Sequence, residues 1–191
     1  TITYNANGGS GAPSSQTKDY GSSLTLSSTT PTRSGYVFNG WATSSTATSA
    51  TYSAGSTFST NADTTLYAVW GITMSANTSY SASISSVGGY KDYYYTPQTS
   101  GTYVIYSTGS SDTYVTLYNN SSGTQLSYDD DGGSGRNFRL AYNLTAGTTY
   151  KYRVKYDSSS STGTIYFNFV RVYTITYNAN GGSGAPSSQT K

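Results

Sequence analysis

The chain has 191 residues, a formal net charge of +2 and only 9% charged residues, while Ser and Thr together supply about a third of it and Tyr and Gly add 22 and 21 residues. There is no Cys and no His, and all eight acidic residues are Asp; this removes thiol redox chemistry, zinc or haem ligation by Cys or His, and most acid/base and nucleophilic machinery. The small, scattered positive charge excludes an electrostatic nucleic-acid footprint, and no run of about twenty apolar residues exists to span a membrane.

Thr and Tyr favour strands while Gly, Ser and Asn favour turns, so the composition reads as mainly β. Disorder is the competing reading of a Ser/Thr/Gly-rich chain, but aromatic residues make up 15% of this one and recur at strand-like spacing, as a core requires. The opening string TITYNANGGSGAPSSQTK, Thr1 to Lys18, returns without a change at Thr174 to Lys191. An offset of 173 residues therefore reads as one period of a repeat, holding two small domains. No signal peptide is present, so the chain reads as a mature segment or a fragment.

In chain order, Thr1 to Tyr4 alternates as a strand and stops at the Asn7, Gly8, Gly9 turn cluster. Ser23 to Leu26 is a short strand with Leu24 and Leu26 on one face, and Pro31 to Gly35 is a turn-rich link. Tyr36 to Phe38 leads into Asn39-Gly40, which predicts a hairpin with Trp41 starting the return strand. Thr65 to Trp70 predicts the best strand of this unit, with Leu66, Ala68 and Trp70 on one face and Tyr67 and Val69 on the other. The order YNANGG, GYVFNGW, Tyr52 with Gly55, then TLYAVW resembles the Listeria/Bacteroides repeat, known also as the B repeat of internalins. The resemblance implies a small β-grasp-like domain over residues 1–70, of a kind that occurs in tandem on bacterial surface proteins without catalytic residues. Within it, Trp41 and Trp70 read as core packing in preference to sugar stacking. The GGSG run reads as a flexible turn, because no GK[ST] follows it.

Gly71 begins a second unit with strands at 80–84, 90–95, 101–107, 114–118, 125–128, 138–144, 149–156 and 164–172. Spacing of about ten residues with Ser/Gly/Asn turns is the pattern of an antiparallel sandwich. Alternation is clearest in TYKYRVKY, which puts Tyr150, Tyr152, Val154 and Tyr156 on one face and Lys151, Arg153 and Lys155 on solvent, where a row of cations would discourage edge pairing. The stretches SGTYVIYSTGSSDTYVTLYN and YDDDGGSGRNFRLAYNLTAGTTYKYRVKY are similar to the bacterial prepeptidase C-terminal domain. That resemblance implies a jelly-roll-like β-sandwich over residues 71–173, an accessory domain of secreted enzymes or surface proteins, some of which bind calcium or matrix polymers.

Asp129, Asp130 and Asp131 precede Gly132 and Gly133, and hard cations want several oxygen ligands on a flexible loop. With Asp112 they form a candidate calcium site, against which stands the simpler reading of a solvated turn. A catalytic Asp pair has no partner acid or cleft signalled by the sequence, so no enzyme is expected. Sequons occur at Asn77, Asn119, Asn120 and Asn143, in a composition where several arise by chance.

Two function classes follow. The first is a structural tandem-repeat unit of an extracellular bacterial fibre, stalk or adhesin shaft, extended by covalent repetition or by strand addition through Thr174, Ile175, Thr176 and Tyr177, with residues 174–191 as the first strand and loop of the next repeat. Its partner is then another copy of itself. The second is an accessory module of a secreted enzyme that docks surface glycans or matrix through its tyrosines. Neither requires a cofactor beyond the calcium considered above.

Overall fold

The computed structural model describes residues 1–158 and 160–191, which divide into two compact units, Thr1–Thr73 and Met74–Lys191. All regular structure among the described residues is β-strand.

The first unit contains β1 (Ile2–Asn5), β2 (Leu24–Thr25), β3 (Tyr36–Ala42), β4 (Thr57–Phe58) and β5 (Thr64–Thr73). β5 is central: β1 lies parallel to it from Ile2↔Thr64 to Asn5↔Tyr67, and β3 runs antiparallel on its other side. Parallel pairing of the first strand with the last demands a long crossover, and the β2–β4 ladder is formed within it. This is the grasp-like arrangement. The core gathers Ile2, Tyr4, Leu26, Trp41, Phe58, Leu66 and Ala68, with Phe38 and Trp70 packed against it. β5 continues past Gly71 to Thr73, where the compact unit closes.

One local expectation fails. Asn39-Gly40 is not a hairpin turn, and Trp41 begins no return strand; β3 runs unbroken through both, with a bulge between Phe38 and Gly40 opposite β5. The reason lies in side-chain direction. Residues three apart in a regular strand point to opposite faces, and one extra residue brings them to the same face. The bulge thus lets Phe38 and Trp41 share the core, their ring centroids 4.9 Å apart. Gly40 supplies the backbone, at φ 126°, and a Cβ there would lie 2.5 Å from the Tyr52 carbonyl oxygen. Asn-Gly permits positive φ in a hairpin and in a bulge alike, and burial of the tryptophan decides between them.

The second unit contains β6 (Thr78–Ile84), β7 (Tyr90–Tyr95), β8 (Gly101–Thr108), β9 (Thr113–Asn119), β10 (Gln125–Asp129), β11 (Arg139–Leu144), β12 (Tyr150–Tyr156) and β13 (Gly163–Arg171). They form two antiparallel sheets, β7-β12-β9-β10 and β11-β8-β13-β6. Sequential strands alternate between the sheets, apart from β9 followed by β10, which is the jelly-roll connectivity. Inward residues of both sheets meet in one core that includes Ile105, Leu117, Tyr152, Val154, Phe167 and Phe169, all nearly or fully buried. Phe169 lies 4.8 Å from Tyr95 and 5.4 Å from Tyr152, ring to ring, in edge-to-face contacts, the geometry aromatic quadrupoles favour.

β12 buries alternate residues as its sequence predicts. It is not an edge strand, however: it is bonded on one side to β7 and on the other to β9, so its cations guard no edge. Beyond β13 the chain forms a two-stranded ribbon, β14 (Thr174–Ile175) with β15 (Gln189–Thr190).

Candidate functional surfaces

The duplicated string supplies the first surface. In the N-terminal copy, Ile2 and Gln16 exchange backbone hydrogen bonds of 2.8 and 3.0 Å, and the Tyr4 hydroxyl bonds the Gln16 side-chain amide oxygen. Asn5 Oδ1 accepts from the Asn7 amide at 2.8 Å, closing an Asx turn. The C-terminal copy repeats each feature. Ile175 pairs with Gln189, the Tyr177 hydroxyl donates to Gln189 Oε1 at 3.0 Å, and Asn178 Oδ1 accepts from the Asn180 amide at 2.8 Å. Backbone angles agree as well: Asn7, Gly8 and Gly11 have φ of 48°, 87° and 75°, and Asn180, Gly181 and Gly184 have 47°, 92° and 80°. Asn and Gly tolerate these left-handed angles at little cost, so this loop is written into the eighteen residues themselves.

What differs is the surroundings. Ile2 and Tyr4 are 1% and 6% exposed, whereas Ile175 and Tyr177 are 41% and 39% exposed. In the first unit the Trp70 indole N–H also donates to the Ala6 and Asn7 carbonyls, both at 3.0 Å, and Asn7 Nδ2 donates to the Ala68 carbonyl. Gly9 makes room for that tryptophan, since a Cβ there would lie 2.5 Å from Trp70 Cζ2 and 2.6 Å from the Thr32 carbonyl oxygen. A Cβ on Gly182, the equivalent glycine, would meet only the Ala179 oxygen, at 3.2 Å.

The second surface is the outer face of the β7-β12-β9-β10 sheet. Register places Lys151, Arg153 and Lys155 of β12 beside Tyr118, Thr116 and Tyr114 of β9, and Arg153 and Lys155 beside Asp92 and Tyr90 of β7. Arg153 holds Asp92 through two hydrogen bonds of 2.8 Å, and its guanidinium carbon stands 3.5 Å from the Tyr90 ring centroid. Bonding to that carboxylate raises the arginine's pKa, partly offset by burial. Lys151 lies over Tyr118 at 4.7 Å and Lys155 over Tyr114 at 4.4 Å, while Tyr114 stacks on Tyr128 at 5.8 Å. Cation–π pairs at such sites are worth about 0.5–1 kcal/mol each. The three cations were legible from alternation in TYKYRVKY. The tyrosines opposite them were missed, although the alternation in TYVTLYN, which sets Tyr114 and Tyr118 against buried Val115 and Leu117, carries the signal once register is known.

The Asp cluster forms a turn. Asp129 Oδ1 accepts from the Gly132 amide at 2.9 Å and from the Arg139 amide at 2.7 Å, Asp130 Oδ1 accepts from the Asp131 amide, and Asp112 faces Arg136 at 3.3 Å. Among the described residues no three acidic side chains converge as a metal site needs. A calcium ion would find Asp129 already committed to two backbone amides and Asp112 to a guanidinium. Of the sequon asparagines, Asn119 Oδ1 caps its own turn by accepting from the Ser121 and Ser122 amides. Asn143 Oδ1 accepts from Thr102 Oγ1, Asn77 Oδ1 accepts from the Arg171 amide, and the Asn120 amide donates to the Thr149 carbonyl. Trp41 is fully buried and Trp70 partly so, which places both in the core of the first unit and offers neither ring as an open stacking platform.

These features define a class: all-β modules in which a small grasp-like repeat precedes a jelly-roll sandwich. Residues 1–69 match the family model of the Listeria-Bacteroides repeat domain, as the YNANGG, FNGW and TLYAVW elements led one to expect. Among solved structures, the chain is similar to the pre-peptidase C-terminal domain of collagenase from Bacillus anthracis, at 18% identity and a TM-score of 0.42, covering 51% of this chain and 91% of that one. No curated protein matches the sequence.

Proposed function

We propose that the chain is a structural repeat unit of an extracellular bacterial fibre, stalk or adhesin shaft, with no enzymatic role. The observation that carries this reading is the second copy of the opening string, which has the local fold of the first and leaves Ile175 and Tyr177 without the sheet that buries Ile2 and Tyr4. The match of residues 1–69 to a bacterial repeat domain supports it, as does a composition lacking His, Cys and Glu. Copies are joined by covalent repetition or by strand addition, and each domain then meets only its neighbours, so length scales with copy number. Denaturing electrophoresis of native filaments tests both routes. A ladder of very large chains establishes covalent repetition, and a band near the 20.2 kDa of the chain establishes non-covalent assembly; material without filaments in electron micrographs overturns the reading.

A second reading is favoured by the outer sheet face. Tyr90 and Tyr128, 45% and 57% exposed, flank a line of cations on a rigid sheet, a surface that suits a glycan or matrix polymer through ring stacking and charge-assisted hydrogen bonds. On this reading the unit is an accessory module. Co-sedimentation with insoluble glycans or collagen should be lost on Tyr90→Ala with Tyr128→Ala, while the sandwich stays folded and its melting temperature falls by several degrees as one cation–π pair and one ring stack are removed.

A further inference from the structure

We infer that the slot occupied by β1 in the first unit accepts Thr174–Lys191 of a second copy of this chain in place of Thr1–Lys18, so that copies link head to tail by strand exchange. The inference deepens the assembly reading and rests on it. The slot is an edge position along β5, backed by Leu26, Trp41, Phe58, Leu66 and Ala68. It is shaped for the duplicated string. Every side chain that enters it from the first copy has an identical counterpart 173 residues later.

Two observations make the second copy a fitted donor. Its loop already has the backbone angles of the bound copy, so little ordering entropy remains to be lost on docking. It also carries Gly182, where a Cβ would meet no side chain within 4 Å among the described residues, but which would be required against the Trp70 indole of a receiving unit. The side chains that fill the slot are the same in the exchanged and closed forms, so the balance is set chiefly by tethering. The copy joined through the chain holds the slot at millimolar effective concentration, and the closed form prevails in dilute solution.

Gly9→Ala in the full chain upsets that balance, because the new methyl group collides with Trp70 in the first copy and leaves the second untouched. This variant should run as concentration-dependent multiples of the 20.2 kDa chain in light scattering. Both tryptophans lie in the first unit, so indole emission should shift to the blue as the multiples form. Gly182→Ala should remain monomeric with unchanged melting, and the double variant Gly9→Ala with Gly182→Ala should be monomeric with red-shifted emission. Register gives a second measurement, independent of how well Gly9→Ala folds. Thr3 faces Thr65 across β1 and β5, so Thr176 of the donor should face Thr65 of the receiver. In the absence of native cysteines, a chain carrying Thr65→Cys and a mass-tagged chain carrying Thr176→Cys, both with native Gly9 and mixed under oxidation at the millimolar concentration that rivals the tether, should form a mixed disulfide dimer. A monomeric Gly9→Ala protein, multiples that survive in the double variant, or failure of that disulfide would each overturn strand exchange. Covalent repetition, read independently on the denaturing gel, would still stand after such a result.

Discussion

Trp41→Ala should unfold the first unit and leave the second folded. The indole is fully buried, with ring centroids 4.9 Å from both Tyr4 and Phe38, so its removal opens a cavity between β1, β3 and β5 that those strands cannot close. Truncations of this kind cost about 3–5 kcal/mol, and a domain of roughly 70 residues without disulfides holds about that much in total. Calorimetry should then lose one transition, and the emission of the remaining tryptophan, Trp70, should move to that of a solvated indole while the circular dichroism of the sandwich persists. Trp41→Phe is the control. The Trp41 indole nitrogen is buried without a hydrogen-bond partner among the described residues, so phenylalanine loses some packing but removes an unsatisfied donor, and the first transition should survive at a lower temperature.

Raising the pH above 10 should unfold the second unit at temperatures where it is otherwise stable. An unfolded tyrosine ionises near pH 10. Burial pushes Tyr93 up to about 12; burial pushes Tyr95 higher still, helped by its hydrogen bond with Tyr103, and burial does the same to Tyr152, helped by neighbouring Tyr150. The folded state therefore keeps protons that the unfolded state gives up, and stability falls as pH rises wherever the unfolded state binds fewer protons. The contribution of these phenols is complete below pH 10 and is lost from there up through the folded values, beginning with Tyr93 near 12. Melting temperature should be flat with respect to these groups from pH 7 to about 9.5 and drop beyond 10. In phenolate absorbance at 295 nm, the share of Tyr93, Tyr95 and Tyr152 should appear only with unfolding. A single smooth titration with no loss of structure would show that these phenols are not held in the core.

Strand positions in the sandwich were legible because Tyr-, Thr- and Val-rich runs are separated by Gly, Ser or Asn turns: β7 spans Tyr90–Tyr95, the range its sequence predicts. The face of β12 was equally plain. Its place inside a sheet was not, because alternation reports which side of a strand is dry and says nothing of how many neighbours it has. The Asn39-Gly40 bulge escaped for a related reason, since the dipeptide states a backbone preference and the burial of Trp41 decides what that preference is used for. The outer tyrosine and cation face depends on register between strands separated by many residues, which no single stretch encodes. The duplicated string, by contrast, was visible at once, and the structure adds that its loop folds alike with and without a sheet behind it.

The parallel pairing of β1 with β5 bears on load. Tension applied to the first unit through Thr1 and Thr73 pulls these two strands lengthwise in opposite directions, so the hydrogen bonds between them are sheared together instead of being opened one after another. Rupture then requires the bonds of this short ladder to fail in a single event, whereas a hairpin pulled from its open end gives way a bond at a time. For a unit set in series along a shaft, this geometry makes the join between the first and last strands a clamp.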